Sequence, residues 1–406
     1  MMDSVGWRGK DVAQCNGFFV QEWLVSTMMM LFQQVRSQWL SLAGLVFLLL
    51  ITAGHSVTAR ALVDTGQLYE VWVPVADQTK NNRQAAFQKA FEQVMKKLTG
   101  RSDVMQLAGV SEARSQIGKL VSQFNYREQA EADRAQPWHQ YLLQVRFNEA
   151  ALNRLLRDNR LPLWGGDRPP VLAWIAFENM GQRQIVAPQD EFVLRDDLNL
   201  AAEAWGLPLI FPLMDFEDSG ALSVSELWGL FEEPVLRASA RYGANAVLAM
   251  QVWPVGDNRW TGRSLFLFQG RVISTSYSGM SSAELSEKAI ANIARTLSDV
   301  YGVAVGTSPD RPIRIQVGNV SGVDSYAKLM RYLDNLTAVR SVTPVVVKGT
   351  DITLEVTIDG TLQQLEAAIE LGRRLAPVPA ILPEINEASG VVGQPAMQAD
   401  LNYRWR

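Results

Sequence analysis

Cysteine is almost absent from this chain of 406 residues, with Cys15 as its single example. From residue 62 onward the sequence therefore offers no disulfide, no thiolate metal ligand and no cysteine nucleophile. It also lacks the cysteine at which a lipoprotein is acylated. An exported protein without cysteine cannot mispair in an oxidising compartment, so this composition fits the periplasm.

Histidine is nearly as scarce, because only His55 and His139 occur. Zinc sites that use two or three histidines need more of them than the chain has from residue 62 onward. A serine–histidine–aspartate triad would have to use His139, and no G-x-S-x-G turn accompanies it. We therefore predict no metal, no cofactor and no catalytic residue.

Charge of one sign does not dominate either. The 38 Lys and Arg residues oppose 42 Asp and Glu residues, for a net charge of −4. Nucleic-acid-binding domains usually carry a basic face, so the composition gives no reason to expect that partner. No segment after residue 61 is long and apolar enough to span a membrane.

An apolar run of about a dozen residues extends from Leu42 to Ala53. It is short for a membrane-spanning helix, which needs roughly 20 residues, and suits the core of a secretory signal, which needs about 7–15. Arg36 precedes it, and two small-residue patterns for cleavage follow it, Ala59-Arg60-Ala61 and Val57-Thr58-Ala59. We predict a cleavable signal peptide within residues 1–61 and a periplasmic location. The alternative is an uncleaved anchor in the inner membrane.

Three methionines, Met28, Met29 and Met30, precede this run. A signal normally begins close to its charged end, and about 30 residues precede this one. We interpret residues 1–27 as an upstream extension that translation from one of these methionines would omit.

Three modules follow, each with the apolar periodicities of a small sheet and amphipathic helices. Residues 62–160 predict the order strand, helix, helix, strand, strand, helix. Residues 161–306 begin with the linker-like hinge GGDRPP and the wholly buried strand VLAWIAFEN. They end in the clearest helix, SSAELSEKAIANIARTLSDVYG, whose Ser281 and Glu284 predict a capping box.

The third module, residues 312–376, is predicted to be βαββα, nearly a ferredoxin-like unit. Residues 377–406 form a tail containing Pro and Gly. Its final ADLNYRWR either returns as a strand or acts as a docking segment, and we favour the strand. The predicted fold class is α+β, with several small sheet-plus-helix modules in tandem.

Asp215, Glu217 and Asp218 are the acidic candidates for a functional site, in LMDFEDSG after a predicted strand. Carboxylates at a strand end could serve in hydrolysis or hold a divalent cation. Turns and helix starts also collect Asp and Glu for capping, and we prefer that structural explanation.

Trp405 is the preferred candidate for binding a partner. It lies between Arg404 and Arg406 near the end of the sequence. Tryptophan and arginine are enriched at binding hot spots, so we predict that Trp405 is exposed.

Four segments carry a resemblance: AAFQKAFEQVMKKLTGR, RPPVLAWIAFE, GLPLIFPLMDFED and ASARYGANAVLAMQV. Together they resemble an uncharacterised family of proteobacterial envelope proteins, a domain of unknown function, over residues 62–306. The resemblance implies export and brings no activity or site residue. The element order of the middle module is similar to that of small α/β domains in periplasmic assembly factors, which dock onto other envelope proteins. Likeness of fold does not fix function.

These observations favour a non-catalytic exported envelope protein that acts as a periplasmic interaction or assembly factor for another envelope protein. The alternative is a carboxylate-dependent hydrolase or a carbohydrate-binding protein of the envelope. A hydrolase would require two carboxylates, such as Asp215 and Glu217, to converge with unequal pKa values.

Overall fold

The computed structural model describes residues 65–130, 139–188, 192–256, 259–304, 309, 311–379 and 399–406. The predicted signal peptide and its upstream extension lie outside these ranges, as does most of the tail. Within them, no helix combines the length and apolarity needed to cross a lipid bilayer. Helices and strands occur together in small modules, which confirms the α+β prediction.

The first module is an antiparallel sheet, ordered β1-β3-β2, with helices packed on one face. Its elements are α1 (Thr65–Leu68), β1 (Glu70–Val75), α2 (Lys80–Thr99), α3 (Ala108–Ser115), β2 (Val121–Glu128), β3 (Tyr141–Phe147) and α4 (Glu149–Asp158). After the short α1, this is the predicted order. Alternate strand residues such as Val71 and Val73 share a buried core with Phe91 and Val94 of α2.

The second module is a sheet ordered β10-β9-β8-β5-β6, with β7 beside β5. Its elements are β4 (Pro162–Leu163), β5 (Val171–Asn179), β6 (Gln182–Ile185), α5 (Val193–Trp205), β7 (Leu209–Ile210), α6 (Phe216–Ala221), α7 (Val224–Trp228), α8 (Glu232–Ser239), β8 (Ala246–Val255), β9 (Arg259–Phe268), β10 (Arg271–Gly279), α9 (Ser282–Tyr301) and β11 (Val303–Ala304). Strand β5 is buried from residue 171 to 177, as predicted for a strand covered on both faces. Helices α5 and α9 form one apolar core with the sheet, and α6–α8 form a second core on its other face.

The third module is a sheet ordered β13-β14-β12-β16-β15, with two helices packed on it. Its elements are β12 (Ile313–Gly318), α10 (Gly322–Asp334), β13 (Val339–Lys348), β14 (Asp351–Ile358), α11 (Leu362–Gly372), β15 (Leu375–Pro377) and β16 (Leu401–Trp405). The predicted terminal strand is confirmed as β16. It runs parallel to β12 and antiparallel to β15, so it separates those two strands. The ferredoxin-like description is therefore not confirmed.

The segment GGDRPP is not a free hinge, because the side chain of Arg168 is buried at the contact of the first two modules. Its guanidinium lies 4.0 Å from the centre of the Trp164 ring. Burial lowers the pKa of Arg168 to about 9, which leaves the group charged at neutral pH. The charge faces the carboxyl ends of α2 and α5, where helix dipoles are negative. It donates hydrogen bonds to the carbonyl oxygens of Lys97 (2.5 Å), Trp164 (2.7 Å), Gly165 (2.8 Å), Trp205 (2.9 Å) and Gly206 (3.0 Å).

The neighbouring Asp167 ties the same segment to the third module. Its carboxylate accepts a hydrogen bond from the backbone N–H of Thr337 at 3.0 Å, and burial raises its pKa. Arg373 of the third module donates to the Gly243 carbonyl oxygen at 2.9 Å. The hinge expectation is wrong because the charged residues of this segment serve as ties between modules.

Candidate functional site

The acidic candidates lie in the helical layer formed by α6, α7 and α8 on one face of the second sheet. Asp215 immediately precedes α6, and Arg241 lies in the single helical turn 240–242 that follows α8. The Arg241 guanidinium donates to both Asp215 carboxylate oxygens, at 2.7 and 2.9 Å. This two-pronged ion pair holds the start of α6 against the end of α8.

Asp218 is the buried member of this cluster, with no exposed surface. Its carboxylate accepts from Arg241 at 2.9 Å, from the Tyr242 hydroxyl at 2.5 Å and from the Met214 N–H at 2.8 Å. Burial, and then this bond to Asp218, raise the pKa of Tyr242 to about 12, so the hydroxyl keeps its proton. The same hydroxyl accepts from the Leu213 N–H at 2.8 Å. Residues 213–218 are therefore fixed through both backbone and side chains.

Helix capping and ion pairing account for the positions of the acidic candidates, with no catalytic role required. Asp215 caps α6 by accepting from the Asp218 N–H at 3.0 Å. Its ion pair with Arg241 lowers its pKa from 3.8 to about 2, which suits a fixed anion and not a proton donor. Glu217 is exposed, 3.6 Å from Arg241. These carboxylates do not form the acid–base pair that the hydrolase alternative requires. Across the described ranges, no group of three or more His, Cys, Asp or Glu side chains is placed to hold a metal ion.

The same layer presents apolar side chains to solvent. Phe216 is 95% exposed, Leu213 61%, Phe231 57% and Leu236 40%. Phe216 is the first residue of α6, and Phe231 immediately precedes α8, which packs against α6. Single exposed apolar residues are normal on a folded protein, and these four are grouped here because they lie in one helical layer. We call these four residues the apolar surface.

Backbone strain accompanies the two phenylalanines. Met214 and Leu230 have positive φ, 55° and 52°, a conformation that costs a non-glycine residue about 1–3 kcal/mol. Met180 and Gln269 also have positive φ, but each lies in a two-residue hairpin turn with a glycine after it. Leu230 occupies the position just after a helix where glycine is usual. Arg160 and Arg373, which also follow helices, have positive φ as well, so this conformation is not confined to the apolar surface.

Trp405 does not have the exposure predicted for it. It is 8% exposed, and its ring lies 6.1 Å from that of Tyr332. The reason is that β16 lies inside the sheet, so its alternation turns Tyr403 and Trp405 toward the third core. Arg404 and Arg406 are exposed, as the alternation requires.

Phe216 and Phe231 were missed by the sequence reasoning. A signal was present: Phe-Glu-Asp at 216–218 and Phe-Glu-Glu at 231–233 repeat one pattern, an aromatic residue followed by two acids. Both lie at helix starts, where acids are expected and an outward phenylalanine is not.

Comparison with known proteins gives a family match over part of the chain. Residues 63–165 match a family described as a domain of unknown function, DUF8605. The matched residues cover the first module and stop at the segment that contains Arg168. They include only the first five residues of the second module, to which the resemblance in sequence also extended. No curated protein matches the chain.

Proposed function

We propose that this is a non-catalytic exported envelope protein that works in the periplasm as an interaction or assembly factor. The observation that carries the proposal is Phe216, almost fully exposed on a turn that Asp215, Asp218, Arg241 and Tyr242 hold rigid. Binding hot spots are aromatic anchors, and a rigid anchor loses little entropy on binding.

The packing of the modules also supports this proposal. Arg168 and Asp167 tie the second module to the first and the third, so the apolar surface is carried on a fixed body. A partner would meet one preformed surface instead of three independently moving domains. This is the arrangement expected of an adaptor that positions another protein.

Export is the second part of the proposal, supported by the apolar run from Leu42 to Ala53 and the small residues after it. Its test is mass spectrometry of the N-terminus in fractionated cells. A chain that starts at Arg60 or Leu62 in the periplasmic fraction supports export. An intact N-terminus in the inner-membrane fraction would replace cleavage by anchoring.

Interaction is tested by a photo-cross-linking amino acid placed at position 216 of the full chain in the cells that make it. The control position is 323, because Val323 is also apolar and is 83% exposed, but lies at the start of α10. We expect discrete protein adducts from position 216 and not from position 323. Equal patterns from both positions would contradict the proposed function.

A further inference from the structure

The segment that carries the apolar surface is acidic. Residues 213–242 contain six carboxylates and two arginines, a net charge of −4, which equals the net charge of all 406 residues. The apolar surface therefore has an acidic rim within its own segment.

The ion pairs within the layer leave some of these charges unbalanced. Arg241 is engaged by Asp215 and Asp218, and Arg237 lies 3.9 Å from Glu226. Glu232 and Glu233, directly after Phe231, are exposed and form no ion pair with a described Lys or Arg side chain. Their place in the first turn of α8 suits the helix dipole, which offsets only part of their charge.

The sign of this charge selects the kind of partner. Anionic lipid surfaces and nucleic acids would be repelled by carboxylates beside Phe231. A second copy of the chain would place two surfaces of the same sign together if the contact were symmetric. A protein segment with an apolar side chain flanked by Lys or Arg complements both the phenylalanines and their rim.

We infer that the apolar surface of Phe216 and Phe231 docks a basic segment of another protein, with Glu232 and Glu233 facing its Lys or Arg side chains. This inference rests on the proposed interaction function and adds the chemistry of the partner. Exposed charges at an interface rim act mainly on the rate of encounter, and they guide a basic partner to the apolar anchor.

The test uses the cross-linker at position 216 in the full chain, combined with charge reversal. Glu232→Lys with Glu233→Lys should lower the adduct yield about fivefold or more, because attraction at two positions becomes repulsion. The control reverses two exposed carboxylates of the first module, Glu112→Lys and Asp158→Lys, and should leave the yield unchanged. Protein level and thermal unfolding are measured for both variants, so that misfolding is recognised.

Two results together support the inference. Mass spectrometry should identify a partner peptide with a net positive charge, and the adduct yield should fall in the Glu232→Lys, Glu233→Lys variant. An adduct that persists in that variant overturns the inference and leaves the interaction function standing. A self-adduct, a lipid adduct or an acidic partner peptide also overturns it. If position 216 gives no adduct above the position-323 control, both the inference and the proposed interaction function are overturned.

Discussion

The hydroxyl of Ser298, near the end of α9, donates a hydrogen bond to the carbonyl oxygen of Thr99 at 2.7 Å. Both residues are buried, and the bond joins the carboxyl end of α2 to the last turns of a helix in the next module. The next residue, Gly100, has φ 65° and lies directly against Ser298. The close approach of these two helices holds the first two modules together.

Replacement of Gly100 by a larger residue should weaken the contact between the first two modules. A Cβ at this position would lie 2.3 Å from the Ser298 Cβ and 2.9 Å from the Ala294 carbonyl oxygen. Gly100→Ala should cost about 3 kcal/mol or more in the free energy of unfolding, from backbone strain and overlap together. Gly181→Ala is the matched control, because Gly181 has φ 79° and open space around it. Its cost should be only the strain of about 1–2 kcal/mol, and equal costs in denaturant titration would contradict the close packing.

Removal of the Arg168 side chain should be among the most damaging changes in the chain. Arg168→Leu leaves buried carbonyl oxygens without donors and should cost about 3 kcal/mol or more. The stability of Arg168→Lys should lie between those of the parent and Arg168→Leu. An ammonium group cannot donate to all five carbonyl oxygens as the guanidinium does. An exposed arginine at the start of β10, changed as Arg271→Leu, should stay within about 0.5 kcal/mol of the parent. Similar midpoints for the 168 and 271 variants in urea would refute the role of Arg168.

Low pH should weaken the ion pair between Asp215 and Arg241. The folded protein lowers the pKa of Asp215 from 3.8 to about 2, so the ionised form is favoured by folding. The resulting stability is present above pH 3.8 and is lost as the pH falls toward 2. Arg241→Gln removes the main cause of the lowered pKa. The variant should be less stable than the parent at pH 6 and should lose less additional stability between pH 4 and 2.

Chemical denaturation at a series of pH values measures that difference. The control is Arg237→Gln, because Arg237 is exposed and lies 3.9 Å from Glu226, beyond hydrogen-bond distance. Its pH dependence should follow that of the parent. If the unfolding free energies of the Arg241 variant and the parent change in parallel between pH 4 and 2, the ion pair contributes no pH dependence there.

Phe216 should be dispensable for folding and required for binding. Because 95% of its surface is exposed, Phe216→Ser should change the free energy of unfolding by no more than about 0.5 kcal/mol. The same substitution should reduce adduct formation from a cross-linker at position 231. Val323→Ser, at another exposed apolar residue, should affect neither quantity. A large loss of stability in Phe216→Ser would mean that the ring is part of a core.

Local patterns predicted the elements well, because helices and strands are set by short-range periodicity. The apolar stripe of α9 predicted its buried face, including Leu285, Ile293 and Leu297. Its capping box was only half right. Ser281 accepts from the Glu284 N–H at 3.1 Å, but the Glu284 carboxylate accepts from the N–H of Met280.

Features that depend on distant parts of the chain could not be predicted in this way. Arg168 is buried only because the carboxyl ends of two helices, far apart in sequence, converge on it. Trp405 is buried because β16 enters the middle of a sheet, which no property of ADLNYRWR reveals. The fixed turn beneath Phe216 depends on Arg241, 25 residues later in the sequence.

Because β16 lies between β12 and β15, the sheet of the third module cannot be completed until the last strand has been synthesised. The ribosome completes β15 at Pro377 and must add 23 further residues before it reaches Leu401. At about 5–20 residues per second, this takes roughly 1–5 seconds. During that interval the edge of β12 that will receive β16 has no partner from β16, and β15 has no strand to join. An unpaired strand edge is open to pairing with other chains, so the third module is closed against such pairing only when the last strand is in place.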